Sequence, residues 1–129
     1  MLNTQNGEIE FSMLGATKTW RMTSREAEWL EAMAAMKLGS KVDFLSHVFN
    51  VAAWSTEDYV LACTAGLRFF DRNVKPEDIS MSITEMIEFR LLFTQWVSTL
   101  IPEDLKKKAA LINEQILSQS PKAGSKESK

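Results

Sequence analysis

Residues 7–26 read Gly7-Glu8-Ile9-Glu10-Phe11-Ser12-Met13-Leu14-Gly15-Ala16-Thr17-Lys18-Thr19-Trp20-Arg21-Met22-Thr23-Ser24-Arg25-Glu26, and the hydrophobic period changes inside them. Ile9, Phe11 and Met13 recur at every second position, as do Trp20 and Met22, which is the period of a half-buried strand. Gly15-Ala16 between the two runs fits a two-residue turn with glycine first. The pattern predicts a β-hairpin over 8–22, with Phe11 facing Trp20 and Ile9 facing Met22. A lone hairpin is marginal in water, so its apolar face must rest on other elements.

Those elements are helices. Thr23 followed by Glu26 is a capping-box pattern, and Ala27, Leu30 and Ala34 then recur at helical spacing. Gly39 stops that helix, and Ser40 is placed to cap a second with the stripe Val42, Leu45 and Phe49. Ser55 or Thr56 opens a third, carrying Val60, Leu61, Thr64 and Leu67. Ser82 and Glu85 form another capping box, ahead of Ile83, Met86, Ile87, Arg90, Thr94, Val97 and Ile101. Pro102 ends that helix and equally suits the first turn of a last one. There Leu105, Ala109, Ile112 and Ile116 make a narrow seam like that of a coiled coil. The expected fold is mainly α: one helical domain of four to five helices over 1–117, with the short N-terminal hairpin. Residues 118–129 lack any large apolar side chain, so a disordered polar tail is expected there.

Composition narrows the function. The chain has 129 residues, one histidine, one cysteine and a net charge of −2. One cysteine excludes an internal disulfide, and the usual zinc ligand sets cannot be assembled. No apolar run reaches the ~18 residues that a membrane span needs, and no signal-peptide pattern opens the chain. The charge argues against a general nucleic-acid binder, whose affinity rests on neutralising phosphates. A soluble protein acting in the cytoplasm, without membrane, metal or cofactor, is the expectation.

Catalytic chemistry finds little support. Glu57-Asp58, Glu77-Asp78 and Glu103-Asp104 each sit at an expected helix start, where carboxylates favour the helix dipole. His47 has no nucleophile or carboxylate at a known spacing, and Cys63 among Leu61, Ala62, Ala65 and Leu67 reads as a small buried hydrophobe. Lys106-Lys107-Lys108 beside Glu103 and Asp104 reads as a solvated helix face. The four tryptophans, seven phenylalanines and seven methionines are mostly core on this reading. The first helix is the exception, because Trp29, Met33 and Met36 widen its apolar arc beyond one core's need. Trp29, Met33, Met36, Phe44 and Trp54 are therefore the candidate partner contacts, and Leu105, Ile112 and Ile116 the candidate oligomer contacts. A homo-oligomer is expected.

Gly7-Glu8-Ile9, Leu14-Gly15 and Arg21-Met22-Thr23 resemble the opening of the tail assembly chaperones of long-tailed phages and gene transfer agents. Trp29-Leu30-Glu31, Leu38-Gly39-Ser40, Trp54-Ser55-Thr56-Glu57-Asp58 and Gly66-Leu67-Arg68 extend the resemblance over roughly residues 7–80. Phe69-Phe70-Asp71 departs from it, standing where small residues and a glycine are expected. The resemblance implies a non-catalytic role: binding the tape measure protein and helping to recruit tail tube protein in the bacterial cytoplasm, without entering the mature virion. It also implies a longer second product made by ribosomal frameshifting, for which Pro121-Lys122 and the lysine run are the compatible sites. A small helical regulator or inhibitor docking on a host or phage protein is the alternative. Residues 1–101 carry 13 acidic against 9 basic side chains, which would suit a basic target.

Overall fold

A computed structural model of the chain describes residues 1–101. It opens with an antiparallel sheet of β1 (Leu2–Asn3), β2 (Glu8–Met13) and β3 (Ala16–Arg21), in that order. Four helices follow: α1 (Ser24–Leu38), α2 (Phe44–Phe49), α3 (Thr56–Leu67) and α4 (Ile83–Thr99). The compact unit spans Met1–Ser98. The expected last helix with Leu105, Ile112 and Ile116, and the expected tail over 118–129, lie outside the described residues.

Helices dominate the described residues, as expected, but the N-terminal part is a three-stranded sheet and not a hairpin alone. The added strand β1 pairs Leu2 with Ile9 and Asn3 with Glu8. Its turn contains Asn6-Gly7, and the Gly7 N–H donates to the Asn3 carbonyl at 2.9 Å. Asn-Gly is a strong turn signal, but a two-residue strand is too short to show a period.

The main hairpin turns at Leu14-Gly15, not at Gly15-Ala16. Both residues have positive φ, 52° and 81°, as in a type I′ turn, whose twist matches the flanking strands. Ile9 therefore pairs with Trp20 and Phe11 with Lys18. The pairs slide by two positions from the expected register, which keeps Ile9, Phe11 and Trp20 on one inward face. Glu85 of α4 holds this turn, its carboxylate accepting from Leu14 N–H at 2.9 Å and Gly15 N–H at 3.0 Å.

Helix α1 has the expected capping box. Thr23 N–H and Oγ1 both donate to Glu26 Oε1 at 2.6 Å, and Gly39 in the left-handed region closes the helix. Burial pushes the Glu26 carboxyl up, but the Thr23 and Arg25 hydrogen bonds more than offset this and hold it below its ordinary range. Leu30 and Ala34 face the core. Helix α2 starts later than expected, capped by Asp43 and not by Ser40. Its Phe44 N–H donates to Glu31 of α1 at 2.6 Å. That contact sets the helix's rotation, so Val48, one turn on from Phe44, is buried while Leu45 and Phe49 stay about half exposed.

Helix α3 runs through the middle of the unit, with Tyr59 and every residue from Leu61 to Leu67 buried. Ser55 caps it, in a capping box with Asp58. Trp20 lies flat on its backbone: the indole Nε1–H donates to the Ala62 carbonyl at 2.9 Å. A Cβ on Gly66 would stand 2.0 Å from that nitrogen, so glycine is what lets the ring approach. Helix α4 closes the core with Phe89, Phe93, Trp96 and Val97. Trp20 meets Phe93 and Trp96 edge-on, with ring centroids 5.7 and 4.9 Å apart, and Phe11 packs on Phe89. This corrects part of the expected stripe: Val97 is buried, but Ile83, Ile87 and Thr94 face outward, and exposed Arg90 lays its guanidinium over the Tyr59 ring. Aromatic rings bury roughly 150–250 Å² each, so their row outcompetes an isoleucine row for the core.

Candidate partner-binding surface

Trp29, Met33 and Met36 fall within roughly 60° of arc on α1, at about 100° per residue, beside the buried Leu30 and Ala34. Trp29 and Met33 are half-buried, and Met36 is 76% exposed. The Arg68 guanidinium stands over the Trp29 ring at 5.0 Å from its centroid, while its Nη1 donates to the Val74 carbonyl at 2.8 Å. Arg25, Glu28, Arg68 and Arg72 line a shallow groove of about 300 Å³ next to Trp29. This flank thus offers an apolar strip ending in an arginine-rich notch.

The end of the strip is latched. Lys37 Nζ donates to Asp58 at 2.8 Å and to Ser55 Oγ at 3.2 Å, tying the last turn of α1 to the start of α3. The Asp58 carboxylate raises the pKa of Lys37. Met36 stays exposed next to this latch, on a helix end that is fixed and not frayed.

The other candidates fall elsewhere. Glu31, which holds Phe44, lies on the far side of α1 from the Trp29–Met36 strip, so half-buried Phe44 belongs to a different flank. Trp54 is a core residue and not an open contact, which corrects its expected place. Its ring stacks on His47 and Phe93 with centroids 4.6 and 5.2 Å away, and its Nε1–H donates to the His47 carbonyl. Ile83 and Ile87, expected in the core stripe of α4, instead form an outward row with Leu91 and are 79%, 53% and 63% exposed. Their four-residue spacing was the available signal. Leu105, Ile112 and Ile116 lie outside the described residues.

The titratable candidates sit in structural roles. Glu57 and Asp58 meet Lys37, and Asp78 accepts from Lys75 N–H at 2.9 Å in a capping box. Cys63 is buried, and burial pushes its thiol far up. His47 packs on Trp54 with its Nε2 buried and without a hydrogen-bond partner among the described residues; burial holds its pKa below the ordinary value. Among the described residues there is no group of three or more potential metal ligands, and no helix is long and apolar enough to cross a membrane. No known protein family matches the chain, and no curated protein or solved structure matches it.

Proposed function

We propose that this chain is a non-catalytic tail assembly chaperone that binds the tape measure protein and helps recruit tail tube subunits in the bacterial cytoplasm. The observation that carries the reading is the apolar strip of half-buried Trp29 and Met33 with exposed Met36, beside a closed core. Methionine and tryptophan at helical spacing suit an adaptable contact with a helical segment of a long partner. The resemblance over residues 7–80 adds support, because several of its short motifs fall at the hairpin turn, at helix caps and at Gly66. Self-association through this strip or through the seam of Leu105, Ile112 and Ile116 belongs to the same proposal.

Pull-down of tape measure fragments at low and high salt tests it. A mainly apolar contact should hold at salt that screens exposed charges. Binding at neither salt removes the proposal. The acidic surplus of residues 1–101 favours the second reading, a regulator docking on a basic protein, whose binding should instead fall steeply with salt.

A further inference from the structure

Strand β3 is an edge of the sheet. The two-residue turn makes Met13–Ala16 a hydrogen-bonded pair, and such pairs alternate along an antiparallel ladder. Thr17 and Thr19 therefore turn their backbone N–H and C=O groups away from β2. Among the described residues no backbone group bonds to them from outside the ladder. They face a groove of about 700 Å³ that the segment after α3 walls off with Phe70, Val74 and Ile79. Glu8, Asp71 and Asp78 line it too, against a single cation among the described residues, Lys18.

We propose that this edge and groove form a docking site for an extended peptide segment of a partner protein, alternating apolar residues with lysine or arginine. Backbone pairing to Thr17 and Thr19 supplies the attachment, and alternate side chains of an added strand fall to opposite sides. Its apolar residues meet Phe70, Val74 and Ile79, and its cations meet the three carboxylates. The wall is held in place before anything binds: Asp71 N–H donates to Leu67 O at 3.2 Å, Val74 N–H to Asp71 O at 3.2 Å, and Arg68 to Val74 O. A preformed wall lowers the ordering cost of docking. A second copy of this chain is a poorer occupant, because symmetric antiparallel pairing centred on Lys18 would set two lysines opposite each other. The peptide instead pairs parallel, with an apolar residue opposite Lys18 bonded to Thr17 and Thr19. This site is separate from the α1 strip, so its test and that of the chaperone reading are independent.

The experiment titrates the full chain with a blocked heptapeptide, Thr-Val-Lys-Val-Lys-Val-Thr, by calorimetry and amide hydrogen exchange. The expected result is saturable binding with slowed exchange at Thr17 and Thr19. Peptides with N-methylated central valine, or with glutamate for lysine, should bind at least about tenfold more weakly, as should the wild-type peptide to Phe70→Ala. Absence of saturable binding, equal binding of the N-methylated peptide, or protection elsewhere would overturn the proposal. So would protection of these amides that rises with protein concentration alone, which would assign the edge to a second copy.

Discussion

Gly66 stands in a helix interior, where glycine costs about 1 kcal/mol relative to alanine, because Trp20 occupies the place of its side chain. A glycine at such a position signals a close approach in the sequence, but the partner, 46 positions earlier, does not show there. Gly66→Ala should destabilise the fold by about 2–3 kcal/mol in urea denaturation, since the ring and α3 cannot both keep their places. The penalty should shrink in a Trp20→Phe background if the clash is its cause. Leu14 presents the converse case. It holds a left-handed φ of 52° with its side chain 70% exposed, so it bears strain without evident packing return. Leu14→Asn creates the Asn-Gly pair that a type I′ turn prefers and should raise stability by about 1 kcal/mol. An unchanged or lower urea midpoint would contradict this account of the turn. The expected Gly15-Ala16 turn missed by one residue because leucine rarely accepts this conformation, and nothing local reveals that Glu85 holds it.

At the scale of elements, caps were legible and faces less so. Thr23–Glu26, Gly39, Ser55–Asp58 and Ser82–Glu85 act through neighbours in sequence, so their chemistry is local and readable. The buried side of α4 depends on what it meets. Two apolar rows compete on that helix, and the Phe11, Trp20 and Trp54 rings select the aromatic one. Helix α2 has too few residues to declare a face, and a contact from Glu31 decides it. Glu85 serves two elements at once, accepting from Ser82 N–H at the start of α4 as well as from the hairpin turn. The hydrogen bonds from Gly15, Ser82 and Leu14 hold its carboxyl below the ordinary range. Glu85→Ala should speed amide exchange at Leu14 and Gly15 together with the first turn of α4. Loosening at the helix alone would show that the hairpin does not depend on this contact.

The whole molecule should lose stability on acidification in two separate windows. His47 is held neutral by burial, so the unfolded chain binds its proton more readily, and stability rises with pH across that interval. The His47 contribution is complete above its ordinary value of 6.5 and is lost as the pH falls below it. Glu26 and Asp58 have depressed values; their contributions stand above the ordinary carboxylate range and are lost only as the pH falls through it. His47→Phe keeps a ring against Trp54 and should flatten the upper window alone in denaturation midpoints taken from pH 7 to 5. An unchanged slope would remove His47 as its source. The helical plan and the α1 strip were legible because they follow from period and residue type. The place of Trp54 was not, because it depends on long-range packing with Phe93. The account rests most on that strip, and Met36 tests it with least risk to the core. Calorimetry should compare the full chain with Met36→Glu, matched for helicity, against helical segments of a tape measure protein, the proposed partner. The account predicts saturable binding by the wild-type chain and at least about tenfold weaker binding by Met36→Glu; equal affinities, or no binding by the wild-type chain, would contradict it.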